Sequence, residues 1–144
     1  TEDRIRLTAE LREIVDTVRS DYRAREHAAG LPIASLRALQ VINDSPGIRS
    51  SELAAELHLK RSTVSNLLRD LHREGLVSRV LLHSDRRGVV LKTTEKACRT
   101  LQRSGHAGQG LLARAVANLT HHEVQQLRKA LSPLHAQLNG ALQS

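Results

Sequence analysis

The sequence predicts a mainly α-helical chain interrupted by one small β-hairpin, and three observations carry that prediction. The core has to be built from Leu, Val, Ile and Ala, because the 144 residues include no Phe, Trp or Met and a single aromatic side chain, Tyr22. Apolar residues recur at steps of three and four along most of the chain, which is the spacing of one helix face. Only Val77 to Leu82 and Val89 to Thr93 read as short β runs, and between them His83-Ser84-Asp85-Arg86-Arg87-Gly88 makes a polar hairpin tip with a glycine for the turn geometry. A chain of this length buries roughly 68–70% of its unfolded surface, enough for one domain or one lobe with helical extensions.

The first helix is expected from Thr1 to about Ala29. Leu7, Leu11, Ile14, Val18 and Tyr22 make its stripe, Glu2 and Asp3 sit at its positive end, and Gly30 stops it. Pro32 suits a helical first turn, and Ile33, Leu36, Leu39 and Ile42 give a second helix that Asn43-Asp44-Ser45-Pro46-Gly47 breaks. Leu53, Ala54 and Leu57 mark a short third helix, with Ser50 as the expected cap and Glu52 in its first turn. His58-Leu59-Lys60 then turns into a fourth helix, whose stripe is Val64, Leu67, Leu68 and Leu71 and whose stop is Gly75. Its opposite side is left to Ser62, Ser65, Asn66, Arg69 and Arg73, groups able to reach base edges or phosphates. A short helix, a tight turn and a polar-faced helix make a helix-turn-helix, and the hairpin after it makes the motif winged.

Beyond Cys98, Leu101, Gly105, Gly108, Leu112, Ala115 and Leu119 alternate steps of four and three, which predicts one long helix with a heptad-like seam. A glycine inside a helix costs about 1 kcal/mol relative to Ala, so close helix contact is expected at Gly105 and Gly108; Gly110, off the seam, has no packing reason. Thr120-His121-His122-Glu123 is a capping box that starts a last helix with Val124, Leu127, Leu131, Leu134, Leu138 and Ala141 on its seam. Pro133 removes the bond to the Lys129 carbonyl and should kink or split that helix. The division expected is 1–30, an N-terminal helix of a dimerisation region; 31–96, a winged helix-turn-helix lobe; and 97–144, the C-terminal helices of the dimerisation region. These seams exceed what a small winged lobe covers, so Leu7, Leu11, Ile14, Leu112, Leu119, Leu127, Leu131, Leu134 and Leu138 are expected to meet a second copy of the chain.

The net charge of +7, with a pI near 10.7, calls for a polyanionic partner or an acidic membrane surface. Its distribution favours the first: Lys60 to Lys92 holds eight basic residues against three acidic ones, five of the seven net charges on one motif. A single cysteine, Cys98, excludes an intramolecular disulfide. No apolar run approaches a membrane span and no signal-peptide pattern opens the chain, so a cytoplasmic, nucleoid-associated location is expected. His121 and His122 point about 100° apart on a helix and do not make one ligand face, so no metal is expected. No nucleotide loop, HExxH or nucleophile elbow is present; neither an enzyme nor a cofactor is expected.

Ser51-Glu52-Leu53-Ala54, Thr63-Val64-Ser65-Asn66-Leu67-Leu68, Leu71 to Val77 with Arg79, and Asp85-Arg86-Arg87 followed by Val89, Leu91 and Thr94 together resemble the MarR family of bacterial transcriptional regulators. The resemblance covers nearly the whole chain, with the specific motifs confined to residues 48 to 97. It implies a homodimer with interlocked terminal helices, two winged lobes astride a pseudo-palindromic double-stranded DNA operator, and repression as the usual outcome. It implies that Arg61, Ser62, Thr63, Ser65, Asn66, Arg69 and Arg73 meet bases and phosphates, with Arg86 in the flanking minor groove and Arg87 on phosphate or its own wing. Asp85 and Gly88 would shape the wing. It also implies a small acidic or phenolic effector that releases DNA; Tyr22 is the one aromatic able to stack on such a ligand, though a core or interface role suits its spacing better. Peroxide-sensing relatives carry a reactive cysteine in the first helix, where this chain has none, and Cys98 is expected to be a buried, inert thiol. The family's wing usually closes with Leu-Thr and a Gly three residues later, whereas this chain has Thr93-Thr94 and Ala97, so a tighter or shifted strand-to-helix junction is expected. Arg49 stands where the family often has Ser or Thr as the cap of the short helix. Alternatives from other classes are a winged helix that docks an acidic protein and a non-specific architectural DNA binder.

Overall fold

The computed structural model describes residues 1–82, 88–105 and 110–144. The expectations for Asp85, Arg86, Arg87 and Gly108 lie outside the described residues. The chain forms two compact units, Thr1–Gly110 and Leu111–Ser144.

The first unit is built in chain order from α1 (Glu2–Ala29), α2 (Ile33–Asp44), α3 (Ser50–Leu57), α4 (Arg61–Arg73), β1 (Val77–Leu81), β2 (Val89–Thr93) and α5 (Glu95–Arg103). Gly30 ends α1 in the left-handed conformation at φ 71°, its N–H donating to the Glu26 carbonyl. Glu26 then reaches forward, accepting from the Ile33 N–H at 2.9 Å, so one carboxylate holds the first turn of α2. The core is aliphatic, as the composition requires. Leu36, Leu39 and Ile42 of α2, Leu53 of α3 and Ala97 of α5 are completely buried, and Val64, Leu68, Leu71, Leu76, Val77, Leu91 and Leu101 close the same cluster. Each full burial of a Leu, Ile or Val is worth about 1.5–3 kcal/mol, so α2 and the inner stripe of α4 supply the lobe's largest shares.

The two strands pair antiparallel in the register Val77↔Thr93 to Leu81↔Val89. On its other side β2 is gripped by Ile48: the Leu91 N–H donates to the Ile48 carbonyl at 2.8 Å and the Gly47 N–H to the Leu91 carbonyl at 3.0 Å. The hairpin base is therefore bonded on both sides even though the sheet has two strands.

Several expectations are corrected. The single long helix after Cys98 is instead α5, which ends at Arg103, and α6 (Leu111–Ala117), which starts beyond Gly110. The helical stop is Gly105, at φ 88°, a left-handed backbone with no described residue near the space a Cβ would occupy; its glycine serves a turn. At Gly110 the space is taken, since a Cβ there would come within 2.6 Å of an Arg25 guanidinium nitrogen, the end of a flexible side chain that would have to shift. Leu119 falls past the end of α6 and Leu101 in the lobe core, so the heptad-like alternation across them was no continuous helix face. The cap of α3 is Arg49 and not Ser50: its N–H donates to Glu52 Oε1 at 3.2 Å, a reach-back that does not require a hydroxyl at the cap.

The second unit holds α6 and α7 (His121–Gln143). The capping box at its start is complete, with the Thr120 N–H donating to Glu123 Oε2 at 2.8 Å and the Glu123 N–H to Thr120 Oγ1 at 3.2 Å. Pro133 does not split α7, which runs unbroken from His121 to Gln143 and carries the proline in its interior. Loss of one N–H bond in a 23-residue helix leaves the ladder on either side to hold it.

Candidate nucleic-acid interface

The site begins at a tight turn. His58 adopts φ 53°, the one left-handed non-glycine among the described residues, and the Leu59 N–H folds back to the Ala54 carbonyl at 3.1 Å. This aims α4 away from α3 within three residues. Val64, Leu68 and Leu71 of α4 are 1–2% exposed and half-buried Leu67 packs on the same cluster, fixing the helix's rotation about its axis. That rotation turns Arg61, Ser62, Thr63, Ser65, Asn66, Arg69 and Arg73 outward, every one exposed. Ser62, Ser65, Asn66, Arg69 and Arg73, spaced i, i+3, i+4, i+7 and i+11, share one face. The structure therefore brings the expected reading residues together.

Their electrostatic circumstances differ. Arg73 donates to Asp70 Oδ1 at 2.6 Å in an exposed pair one helical turn long, which occupies its guanidinium. Arg61 and Arg69 make no ion pair among the described residues, so their charges are available to an anion. Lys60, the cap of α4, places no side-chain acceptor on the first amides, and the positive end of the helix stays open beside Arg61. Ser50 and Ser51 at the start of α3 line a shallow notch with Arg61, Val64 and Ser65. Sequence reasoning treated Ser50 only as a cap and Ser51 only as part of a family motif; two adjacent hydroxyls at a helix start were the available signal.

The wing rises beside α4. Arg79 and Lys92 are exposed on β1 and β2, and Val80, Leu81 and Val89 are also open to solvent towards the tip. Gly88, just before the second strand, is buried and its carbonyl accepts from the Leu82 N–H at 2.9 Å. At the wing's base, His72 Nδ1 lies 3.2 Å from the Val77 carbonyl, within reach of a hydrogen bond in the tautomer that carries its proton on Nδ1.

Residues 29–88, which span the helix-turn-helix and β1 and stop just before β2, match the model of the MarR family. Over that stretch the chain is similar to the MarR family. It is 27% identical over 111 residues to an uncharacterised HTH-type transcriptional regulator of Bacillus subtilis, YfiV, covering 77% of this chain and 69% of that protein. Among solved structures, Streptococcus pneumoniae FabT in complex with DNA superposes with a TM-score of 0.62 at 23% identity, covering 94% of this chain and 97% of FabT. A MarR family protein of Mycobacterium tuberculosis in complex with salicylic acid superposes with a TM-score of 0.56 at 24% identity, covering 89% of this chain and 95% of that one. These likenesses carry the MarR winged fold past the matched lobe to the terminal helices.

Outside the interface, Tyr22 is half-buried on α1. Cys98 is half-buried rather than buried, its thiol 3.8 Å from Asn43 Oδ1. Among the described residues no three His, Cys, Asp or Glu side chains gather as a metal site, and no helix is long and apolar enough to cross a membrane.

Proposed function

We propose that this chain is a MarR-type regulator, a sequence-specific repressor that binds a pseudo-palindromic operator as a homodimer in the cytoplasm and releases it when a small acidic or phenolic ligand binds. The observation that carries the reading is the division of α4 into a buried aliphatic stripe and an exposed side of hydroxyls, an amide and two arginines that make no ion pair among the described residues. Ser62, Ser65, Asn66 and Arg69 supply the short and long hydrogen-bonding groups that base edges require, and Arg61 with the open start of α4 supplies a phosphate contact. Arg86 and Arg87, between the two strands in sequence, add two further positive charges to the motif. The homodimer is supported by apolar side chains left open: Leu7, Ile14, Leu112, Leu127, Leu131, Leu134 and Leu138 are each more than a third exposed, and Leu11 and Leu119 are half-buried. Support for the effector comes from the relative crystallised with salicylic acid.

The test is selection from a randomised duplex library, followed by titration of the enriched sequence and a scrambled one at a single salt concentration. The expected outcome is a two-fold related sequence bound at two chains per duplex, roughly 10³-fold or more tighter than the scrambled duplex. Equal affinity for both would make the chain a non-specific binder, because phosphate contacts alone supply that much.

A further inference from the structure

The end of α4, the foot of the wing and the start of α5 meet at one residue. Thr94 donates its N–H to the Leu76 carbonyl at 3.2 Å and its hydroxyl to the Gly75 carbonyl at 2.7 Å. The same oxygen accepts the Ala97 N–H at 3.2 Å, which caps α5. Lys96 adds a bond from Nζ to the Glu74 carbonyl at 2.7 Å. Three successive carbonyls following α4, those of Glu74, Gly75 and Leu76, are thus all taken by residues 94 and 96. The last carbonyls of a helix have no partner further along it, and Gly75, at φ 73°, turns the chain out of helical register at this point. A lysine in the first turn of α5 is misplaced for α5's own dipole and well placed for the negative end of α4. One residue earlier, Thr93 Oγ1 donates to Asn43 Oδ1 at 3.2 Å, so the wing's exit is also tied to α2.

We propose that Thr94, assisted by Lys96, is a positioning residue that fixes the wing relative to the reading face of α4, so that helix and wing engage DNA as one rigid body; this rests on the DNA-reading function proposed above. A two-stranded ribbon is marginally stable by itself. Its link to α4 runs through the turn at Gly75, a pivot, and the bonds from Thr94 close that pivot from the far strand. Thr94 touches no DNA in this scheme. It acts through the relative placement of two elements that do.

The experiment compares Thr94→Val, which keeps the shape and removes the hydroxyl, with Thr94→Ser, which keeps the hydroxyl. Each is titrated, at a temperature where circular dichroism shows it folded, against the selected duplex and a scrambled one. Thr94→Val is expected to lose about tenfold in affinity for the selected duplex and less than about twofold for the scrambled one, with Thr94→Ser close to the parent. Lys96→Gln is expected to move the same way by less, Lys96→Arg to remain near the parent, and this exposed pair serves in place of Thr94 if Thr94→Val does not fold. Equal losses on both duplexes, an unchanged selected affinity, or a selective loss that Thr94→Ser does not restore would each overturn the proposal, leaving Thr94 as a cap of α5 only. If the parent chain itself selects no sequence, the DNA-reading function fails first and this inference with it.

Discussion

Asn66 stands on α4 between exposed Ser65 and half-buried Leu67, and that single step along the helix separates the proposed reading surface from the core. Its amide offers a donor and an acceptor in one plane, the arrangement that pairs with adenine in the major groove. Asn66→Ala should therefore relax the preference at one position in each half-site by about 1–3 kcal/mol, with no loss of folding because the side chain is exposed. Repeating the library selection with the variant measures this directly, and a uniform weakening over every base would reassign Asn66 to the backbone. Arg73 differs, since Asp70 already holds its guanidinium. Such facts were not legible in the sequence: the i, i+3 spacing permits the Asp70–Arg73 pair but does not say whether the arginine prefers the carboxylate or solvent. The glycines teach the same lesson, because Gly105 and Gly110 look alike in a string, yet one supplies a left-handed turn and the other lies against the end of the Arg25 side chain.

At the scale of elements, the parts defined by a local signal were readable. The start of α7 was written in Thr120 and Glu123, the end of α1 in Gly30, the face of α4 in Val64, Leu68 and Leu71, and the hairpin in its two β-branched runs. What was not readable depended on partners distant in sequence. Leu101 and Leu112 keep step on a heptad, but the core takes Leu101 while Leu112 stays 45% exposed, and a period carries no record of which surface claims each residue. The bonds that seat the wing, Thr94 to Gly75 and Leu91 to Ile48, join residues 19 and 43 positions apart and leave no periodic trace. The seam of α7 gives the test at this scale. Leu131 is 48% exposed and none of α7 is buried, so Leu131→Asp should cost the isolated chain little. If that seam is the twofold interface, the same substitution places a charge in its centre, with a penalty of several kcal/mol. Sedimentation velocity at micromolar concentration should then show a dimeric parent and a monomeric variant with an unchanged far-ultraviolet spectrum; a variant that stays dimeric would move the interface to another surface.

For the whole molecule, the question is what two copies achieve that one does not. A single α4 face with a wing contacts only a few base pairs, and the local charge of five would hold it to any duplex in a salt-dependent way. A twofold dimer fixes two such faces about 34–36 Å apart, one turn of DNA, and converts two weak sites into one long, spaced one. Spacing then becomes part of the recognised sequence. Inserting about five base pairs between the half-sites rotates one of them to the opposite side of the duplex, and affinity should fall to that of a single half-site. An insertion of about ten base pairs restores the facing but adds another turn of distance, so a rigid dimer should remain weak on it, whereas independent lobes would bind all three duplexes alike. Titration of the three duplexes at one salt concentration separates these outcomes. Binding indifferent to the insertion would mean that the exposed seams of α1 and α7 do not set the geometry of DNA binding, and any ligand control would then have to act on the lobe itself rather than on the distance between two lobes.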